Sequence, residues 1–381
     1  MENQCVACKH RLDSKIENLG VLPIYYGRKI PKIENYIVDK NISCQLVICS
    51  NCNLVQQILK PETTKVLDLI YKSQSSGVST PMSSEGWGKE RAATFFNQVV
   101  FEFAPKRVLE IGCQDGHILK MLKEKNTTIV KLVGLEPSPQ KIDENLGIEF
   151  INDYFKKSFF EPKSFDTVMS LFVIEHVKKP VEFLSSIYDV LSDNGQLIIS
   201  TPNAQSQIES GDPGLFMHEH ISYFTEDSLT NALSLAGFKV IKFKKDKSDY
   251  YITACKGGDR SIKVPSESQN FLKKYMSERL PKVLNNFKSN INPDVPTVLW
   301  GACSTTSNLL NMIKVENITI VDGDKNKQNI DISGFIGQVR SPAEFFDRDD
   351  INICISPLGF QNEIESVLKK HNRINYFKLF N

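Results

Sequence analysis

The stretch Val108-Leu-Glu-Ile-Gly112-Cys-Gln-Asp-Gly116 constrains the fold of this 381-residue chain more than any other. It opens as an apolar run of strand length and breaks at Gly112. Beyond Gly116 it resumes with Ile118, Leu119, Met121 and Leu122 at helical spacing. A strand that feeds a helix through a glycine turn lets backbone approach a ligand closely at the carboxyl end of a sheet. The spacing Glu-x-Gly-x-x-x-Gly is not the Gly-x-Gly-x-x-Gly of dinucleotide sites, and it lacks the Lys-Ser/Thr ending of a phosphate loop. The residues that follow decide what such a turn binds.

From about 107 to 256 strands and helices alternate. Strands are legible at 108–111, 131–135, 165–171 and 196–200, and a helix at 180–191 ends on the stop and turn signal Ser192-Asp-Asn-Gly195. A helix at 227–236 and strands at 239–244 and 250–254 close the unit. Alternation of this kind predicts an α/β fold, a parallel sheet covered on both faces. A helix is expected over 85–103, from Trp87, Ala92, Phe95, Phe96, Val99 and Phe103. The serine-rich connector 61–84, with Tyr71 to Gly77 inside it, reads as a loop, either a linker or a lid. Beyond 257 come a helix at about 269–289 and strands beginning at Thr297, Ile318 and Ile351, a smaller α/β unit with the look of a half-Rossmann fold. Asp322 ends its second strand, where a ribose-binding acid would sit. The length fits two or three domains, divided here as 1–60, 61–256 (with 61–106 as connector and leading helix) and 257–381.

Five of the nine cysteines fall in the first sixty residues. Cys5-Val-Ala-Cys8 and Cys49-Ser-Asn-Cys52 are the paired Cys-x-x-Cys loops from which a tetrahedral zinc site is built. Four thiolates leave no open coordination position, so this zinc would be structural. Cys44 reads as a core thiol. A net charge of +1 gives no reason to expect nucleic acid or a membrane surface as partner. No stretch has the apolar length of a membrane span, and Met1-Glu-Asn-Gln-Cys5 does not read as a secretion signal. The expected compartment is the cytoplasm.

Four features then follow the turn, each at a strand's carboxyl end. Glu136, in Gly134-Leu-Glu-Pro137-Ser, lies about twenty-five residues beyond Glu110, where a carboxylate accepts hydrogen bonds from both ribose hydroxyls. Asn152-Asp153 follows a short third strand, in reach of an adenine edge. Leu171-Phe-Val-Ile-Glu-His176-Val follows the fourth, and Ser200-Thr-Pro-Asn203 the fifth. This series resembles the class I S-adenosylmethionine-dependent methyltransferases over the whole of 107–256. The resemblance implies donor contacts from Glu110, Gly112, Gln114, Gly116, Glu136, Pro137, Asp153 and Leu171.

With its cysteine-rich start and its C-terminal half-Rossmann unit, the chain is similar to the nucleotide-sugar C-methyltransferases. Met217-His218-Glu219-His220-Ile-Ser-Tyr223-Phe224-Thr225 resembles that family's Tyr-His-Glu-His-Phe-Ser-Tyr-Phe-Ser block. The resemblance implies a 4-keto deoxysugar nucleotide as acceptor. A base removes the proton beside the ketone, and the enolate takes the donor methyl. A carbon acid is weak and needs a positioned neutral imidazole. His220 is the base expected, oriented by Glu219, with His176 as second candidate and Tyr71 from the family's tyrosine-rich lid. Met217 stands where the family has a tyrosine, Ser73 where an aromatic is usual, and Lys247-Ser-Asp-Tyr-Tyr251 where a His-Gly-Gly-Ser segment is expected. Two further readings use the same scaffold: O-methylation of a sugar or other small molecule, and a non-catalytic binding protein.

Overall fold

The computed structural model describes residues 4–24, 41–72, 82–84, 87–98, 105–138, 147–264, 271–330, 332, 335, 337–371 and 374–380. Expected features at 73–77, at Val99 and Phe103, and on the side chains of Tyr71 and Trp87 lie outside the described residues. The chain begins with β1 (Glu17–Pro23), β2 (Asn41–Ile48) and β3 (Val55–Gln57), an antiparallel meander flanked by the two Cys-x-x-Cys loops. The connector expected as loop instead begins with a helix, α1 (Pro61–Lys72). Proline at the first helical position and Glu62 in the first turn start it, Lys72 ends it, and Thr63, Leu67 and Ile70 are buried at helical spacing. That i, i+4, i+7 pattern is short and half-polar, which is why composition hid it. The leading helix is α2 (Trp87–Gln98), whose Ala92, Phe95 and Phe96 are core.

The central unit then runs β4 (Arg107–Ile111), α3 (His117–Lys125), β5 (Lys131–Leu135), β6 (Glu149–Ile151), β7 (Phe165–Leu171), α4 (Pro180–Val190), β8 (Leu191–Pro202), α5 (Ala204–Ser210), β9 (Ser222–Tyr223), α6 (Glu226–Leu235), β10 (Phe238–Lys245) and β11 (Asp249–Lys256). Seven of these strands form one sheet in the order β10-β11-β8-β7-β4-β5-β6, with β11 antiparallel to its two neighbours and the pairs from β8 to β6 all parallel. The chain runs outward from β4 to β5 and β6 on one side, then returns to β7 on the other. That reversal opens a crevice at the carboxyl ends of β4 and β7.

One expectation is corrected here. Ser192–Gly195 is not a turn between elements, because β8 starts directly at Leu191, where α4 stops. Leu191 pairs with Phe165 and pairing resumes at Gln196 with Thr167, so the four residues between bulge out of one strand.

β9 does not join the central sheet. It pairs antiparallel with β3, extending the N-terminal meander to the order β1-β2-β3-β9. The segment from Met217 to Tyr223 is thereby bound to the cysteine-bearing part of the chain, a long-range pairing that no local pattern announces.

The helix expected near 269–289 is α7 (Phe271–Lys274) and α8 (Leu280–Asn290), joined by a π-turn at Tyr275–Arg279. β12 (Thr297–Trp300), α9 (Ser304–Met312), β13 (Ile318–Val321), β14 (Asn352–Ile355), α10 (Gln361–Leu368) and β15 (Asn375–Lys378) complete a parallel sheet ordered β13-β12-β14-β15. Asp322 follows β13, and its carboxylate accepts from Ala302 N (2.8 Å) and Asp324 N (2.9 Å) and faces Lys327 Nζ at 3.5 Å.

α9 packs against the short turn Pro213–Leu215. Thr305 Oγ1 donates to Asp212 Oδ1 (2.8 Å), and Asn308 Nδ2 donates to the carbonyls of Pro213 (2.7 Å) and Phe216 (3.0 Å). Gly214 sits so close that a Cβ there would lie 2.6 Å from Thr305 Cα. We therefore expect Gly214→Ala to cost about 1–3 kcal/mol, read as a lower urea midpoint; a midpoint equal to wild type would show that this contact is not tight.

Candidate functional site

The crevice at β4 and β7 is a cleft of about 840 Å3. One wall is the glycine turn. Gly112 holds φ at +78°, and a Cβ on it would collide with Val173 on the turn after β7. Gln114 has φ +48° and Gly116, at φ +73°, is the N-cap of α3. The strained geometry leaves the turn's backbone facing the cleft.

Two acids flank this turn in different states. Glu136 is held by Gln114 N (3.2 Å) and by Ser138 N and Oγ (3.1 and 2.6 Å). Glu110 is 2 % exposed, and its Oε2 has no hydrogen-bond partner among the described residues. Burial, then the charges of Asp115 and Glu136, push its carboxyl well above the ordinary range.

Of the expected donor contacts, Glu110, Gly112, Gln114, Glu136, Pro137 and Leu171 line the cleft together. Gly116 stands behind the turn as helix cap. Asp153 is not in the lining: its carboxylate pairs with Lys156, while the next residues, Tyr154 and Phe155, do face the cleft. Asn152 Nδ2 donates to the carbonyls of Glu136 (2.9 Å) and Pro137 (3.2 Å), fixing the end of β5.

The cleft also receives His176, Glu219 and His220. The two imidazoles meet edge to face, centroids 4.7 Å apart at 77°. His176 Nδ1 lies 2.9 Å from the Glu219 carbonyl. A carbonyl only accepts, so Nδ1 carries the hydrogen and Nε2 the lone pair. Burial, opposed by that hydrogen bond, lowers His176 to about 4. Burial and the neighbouring His176 hold His220 well below its ordinary value. Both rings are neutral at pH 7. His218 is fully buried outside the cleft lining, with Nδ1 2.7 Å from Gln57 Oε1 and Nε2 3.1 Å from the Ile42 carbonyl.

Glu175 has no role in the site expected from sequence. The structure buries it at the cleft beside His176, with Oε1 3.9 Å from Nε2 and Oε2 accepting from Thr201 Oγ1 at 3.0 Å. Its position next to His176 was the available signal. Arg91 is a second addition: it lines the cleft with its guanidinium 3.6 Å over the Phe172 ring, and nothing in its helix set it apart.

The cysteine pairs form a separate cluster. Cys5 Sγ and Cys52 Sγ are 3.6 Å apart, as are Cys8 and Cys49, and the four sulfurs lie within 4.8 Å of one another. Thiolates about 2.3 Å from a tetrahedral zinc are about 3.8 Å apart, so the cluster is compatible with that ion. Each pair is shaped by the same turn. Lys9 N donates to Cys5 O (3.1 Å) and Asn53 N to Cys49 O (2.9 Å), with Lys9 at φ +62° and Asn53 at φ +58°. Cys44 is apart, buried, with its thiol pushed up to about 12 by burial.

Comparison with known proteins agrees with the geometry. Residues 85–242 match the family described as a methyltransferase domain. The chain is similar to a tRNA U34 carboxymethyltransferase of Sulfurimonas denitrificans, 33 % identical over 113 residues, which are 26 % of this chain and 36 % of that protein. It is also similar to the mitochondrial ubiquinone biosynthesis O-methyltransferase of Schizosaccharomyces pombe, 28 % identical over 110 residues, 26 % of this chain and 39 % of that protein. Each match thus spans between a third and two fifths of the relative. Among solved structures, the 1,6-didemethyltoxoflavin-N1-methyltransferase of Burkholderia thailandensis, with bound S-adenosylhomocysteine, covers 56 % of this chain and 96 % of its own at 14 % identity and a TM-score of 0.38. Among the described residues no helix is long and apolar enough to cross a membrane.

Glu175 gives a test of the buried polar cluster. Burial raises its carboxyl from 4.5 to about 8, so between those values the folded chain keeps a proton that the unfolded chain releases. Its stability contribution is full below about pH 4.5 and is lost as pH rises towards 8. The stability of Glu175→Gln relative to wild type should therefore rise over that interval, by on the order of 3 kcal/mol. Denaturant unfolding at several pH values measures it, and a difference independent of pH would refute the raised value.

Proposed function

We infer that the protein is an S-adenosylmethionine-dependent methyltransferase acting on the carbon beside the ketone of a 4-keto deoxysugar nucleotide. The observation that carries this reading is the meeting, in one cleft, of the Glu110–Glu136 turn with the neutral pair His176 and His220. The donor fits the residues present. Glu110, buried with an unpartnered oxygen, would take its cationic amino-acid end, Glu136 its ribose, and the Gly112 turn would accept its close approach. When bound, the donor supplies a methyl group already activated as a sulfonium.

The remaining work falls to the chain's own side chains. His220 takes the proton from the acceptor carbon, with Glu219 as the neighbouring carboxylate, and His176 forms the adjoining wall. Protonated Glu175 leaves the histidines beside it without a competing anion. A neutral imidazole in a buried cleft can accept a proton from a carbon acid once substrate excludes water. Tyr71 completes the site in this reading, and Asp153 stays outside the lining, paired with Lys156. The relatives are named for tRNA and ubiquinone-pathway chemistry, whereas a cleft of about 840 Å3 has the size of a small-molecule site and supports such an acceptor. Met217, which lines the cleft without a hydroxyl to hold an enolate, favours a second reading, transfer to a sugar oxygen with the same base.

In this account residues 1–60 are a zinc-binding module, 61–256 the methyltransferase unit and 257–381 an α/β unit that braces it. All nine cysteines are free of disulfides, which supports the cytoplasmic compartment.

Solvent deuterium exchange into a 4-keto sugar nucleotide, without donor, tests the carbon chemistry. We expect enzyme-dependent exchange that His220→Ala reduces at least about a hundredfold. No exchange by wild type, together with methyl transfer to a hydroxyl, would overturn it in favour of the second reading. For the cysteine cluster, metal analysis should find about one zinc per chain, lost when Cys5 and Cys8 are both changed to serine; a metal-free wild type would refute the site.

A further inference from the structure

We propose that Gln57 positions His220, and that metal bound by the four cysteines acts on the cleft through the strand segment Gln56–Gln57. This rests on the reading of His220 as the base. The two glutamines are consecutive on β3, and successive strand residues face opposite ways. Gln56 Oε1 accepts from Val6 N at 2.9 Å, inside the Cys5–Cys8 loop. Gln57 reaches the other way, into the histidine block. Its Nε2 lies 3.0 Å from the Met217 carbonyl, 3.0 Å from the His220 carbonyl and 3.1 Å from Tyr223 Oη. Its Oε1 lies 2.7 Å from His218 Nδ1, and its backbone N donates to Ile221 O at 2.9 Å.

One buried side chain, 3 % exposed, thus touches Met217, His218, His220 and Tyr223 of the block. The two carbonyls it meets are acceptors only, which fixes the amide orientation and leaves Oε1 for His218. A hydrophobic residue in its place would strand the buried His220 carbonyl, whereas the Met217 carbonyl would keep His220 N and Tyr223 Oη as donors. The metal loop and the proton-transfer residue are therefore one strand residue apart along a single pleat. A change in the cysteine cluster alters the Val6–Gln56 contact, shifts the register of β3, and moves the carbonyl from which His220 hangs.

The test uses the full-length, metal-loaded protein and needs no acceptor for its main readout. The ring 15N and Cε1–H resonances of His220 and His176, assigned with single alanine variants, are recorded for wild type, Gln57→Met and Gln57→Glu. Donor affinity, set at the distant Glu136, reports folding. We expect both variants to bind donor within about twofold of wild type while the His220 resonances move. Where turnover is measured, kcat should fall by about a hundredfold with KM little changed. Removing metal from wild type by graded chelation should move the same resonances in the same direction. If Gln57→Met does not bind donor, Gln57→Glu and the chelation series decide in its place. Unmoved His220 resonances in any donor-binding variant, or through the chelation series, would overturn the proposal. A wild type without exchange or transfer activity would instead overturn the reading of the reaction, since the resonances report on Gln57 without any acceptor.

Discussion

The segment from Met217 to Tyr223 has little regular structure, yet it is buried almost throughout, and buried backbone polar groups must find partners. That constraint organises the molecule. A surface loop could give its carbonyls to water, but this one needs donors supplied by other parts of the chain. Gln57 donates to the Met217 and His220 carbonyls from the N-terminal sheet, Asn308 of the C-terminal unit donates to Pro213 and Phe216 just before the segment, and the segment's Ile221 N finds its acceptor in Glu175 O after β7. The flanking units thus hold the buried segment beside the site through directional bonds, while the cleft's lining comes from residues between Leu59 and Ile221. Their apolar cores follow the same lines: Leu46 and Val55 of the N-terminal sheet share a cluster with Phe216, Tyr223 and Tyr275.

The same burial accounts for the charge state of the cleft. Desolvation opposes charge on acids and bases alike, raising Glu110 and Glu175 and lowering His176 and His220. Four ionisable groups therefore share one cleft with little net charge between them. A cationic ligand entering such a site meets Glu110, whose unpartnered oxygen gains a partner as it ionises. The acid that already has donors, Glu136, is free of that requirement and stays fixed by Ser138 and Gln114. Two acids on one turn thus have different tasks because their hydrogen-bond environments differ.

The central sheet was legible because its strands are continuous apolar runs between helical periods: 131–135 and 165–171 are observed as expected, and β4 begins one residue early. The elements that escaped are those whose reason is tertiary. Among its described side chains α1 carries Leu67 and Ile70 as buried apolar anchors, and its sequence reads as a connector until β2 and the cleft are present to cover it. The bulge at Ser192–Gly195 has the residues of a turn and is one locally, but the partner strand β7 carries pairing across it. Gln57 could not be found at all from sequence. A glutamine ending a three-residue strand has no periodicity, and its importance comes from a loop 160 residues away.

The chemistry of the acceptor is where burial and sequence meet at a single position. Tyr223 Oη donates to the Met217 carbonyl at 3.0 Å and lies 3.1 Å from Gln57 Nε2, so the hydroxyl nearest the block is consumed in holding it. Met217 itself offers the cleft only a thioether, a weak acceptor and no donor. An enolate oxygen formed here would have to be held by groups already in the lining. Arg91 is the cation among these that also touches an aromatic wall, fixed over Phe172. Its planar guanidinium presents several N–H donors to an oxygen on that side of the cleft. The proposed carbon chemistry therefore requires that the developing negative charge lie on the Arg91 side of His220.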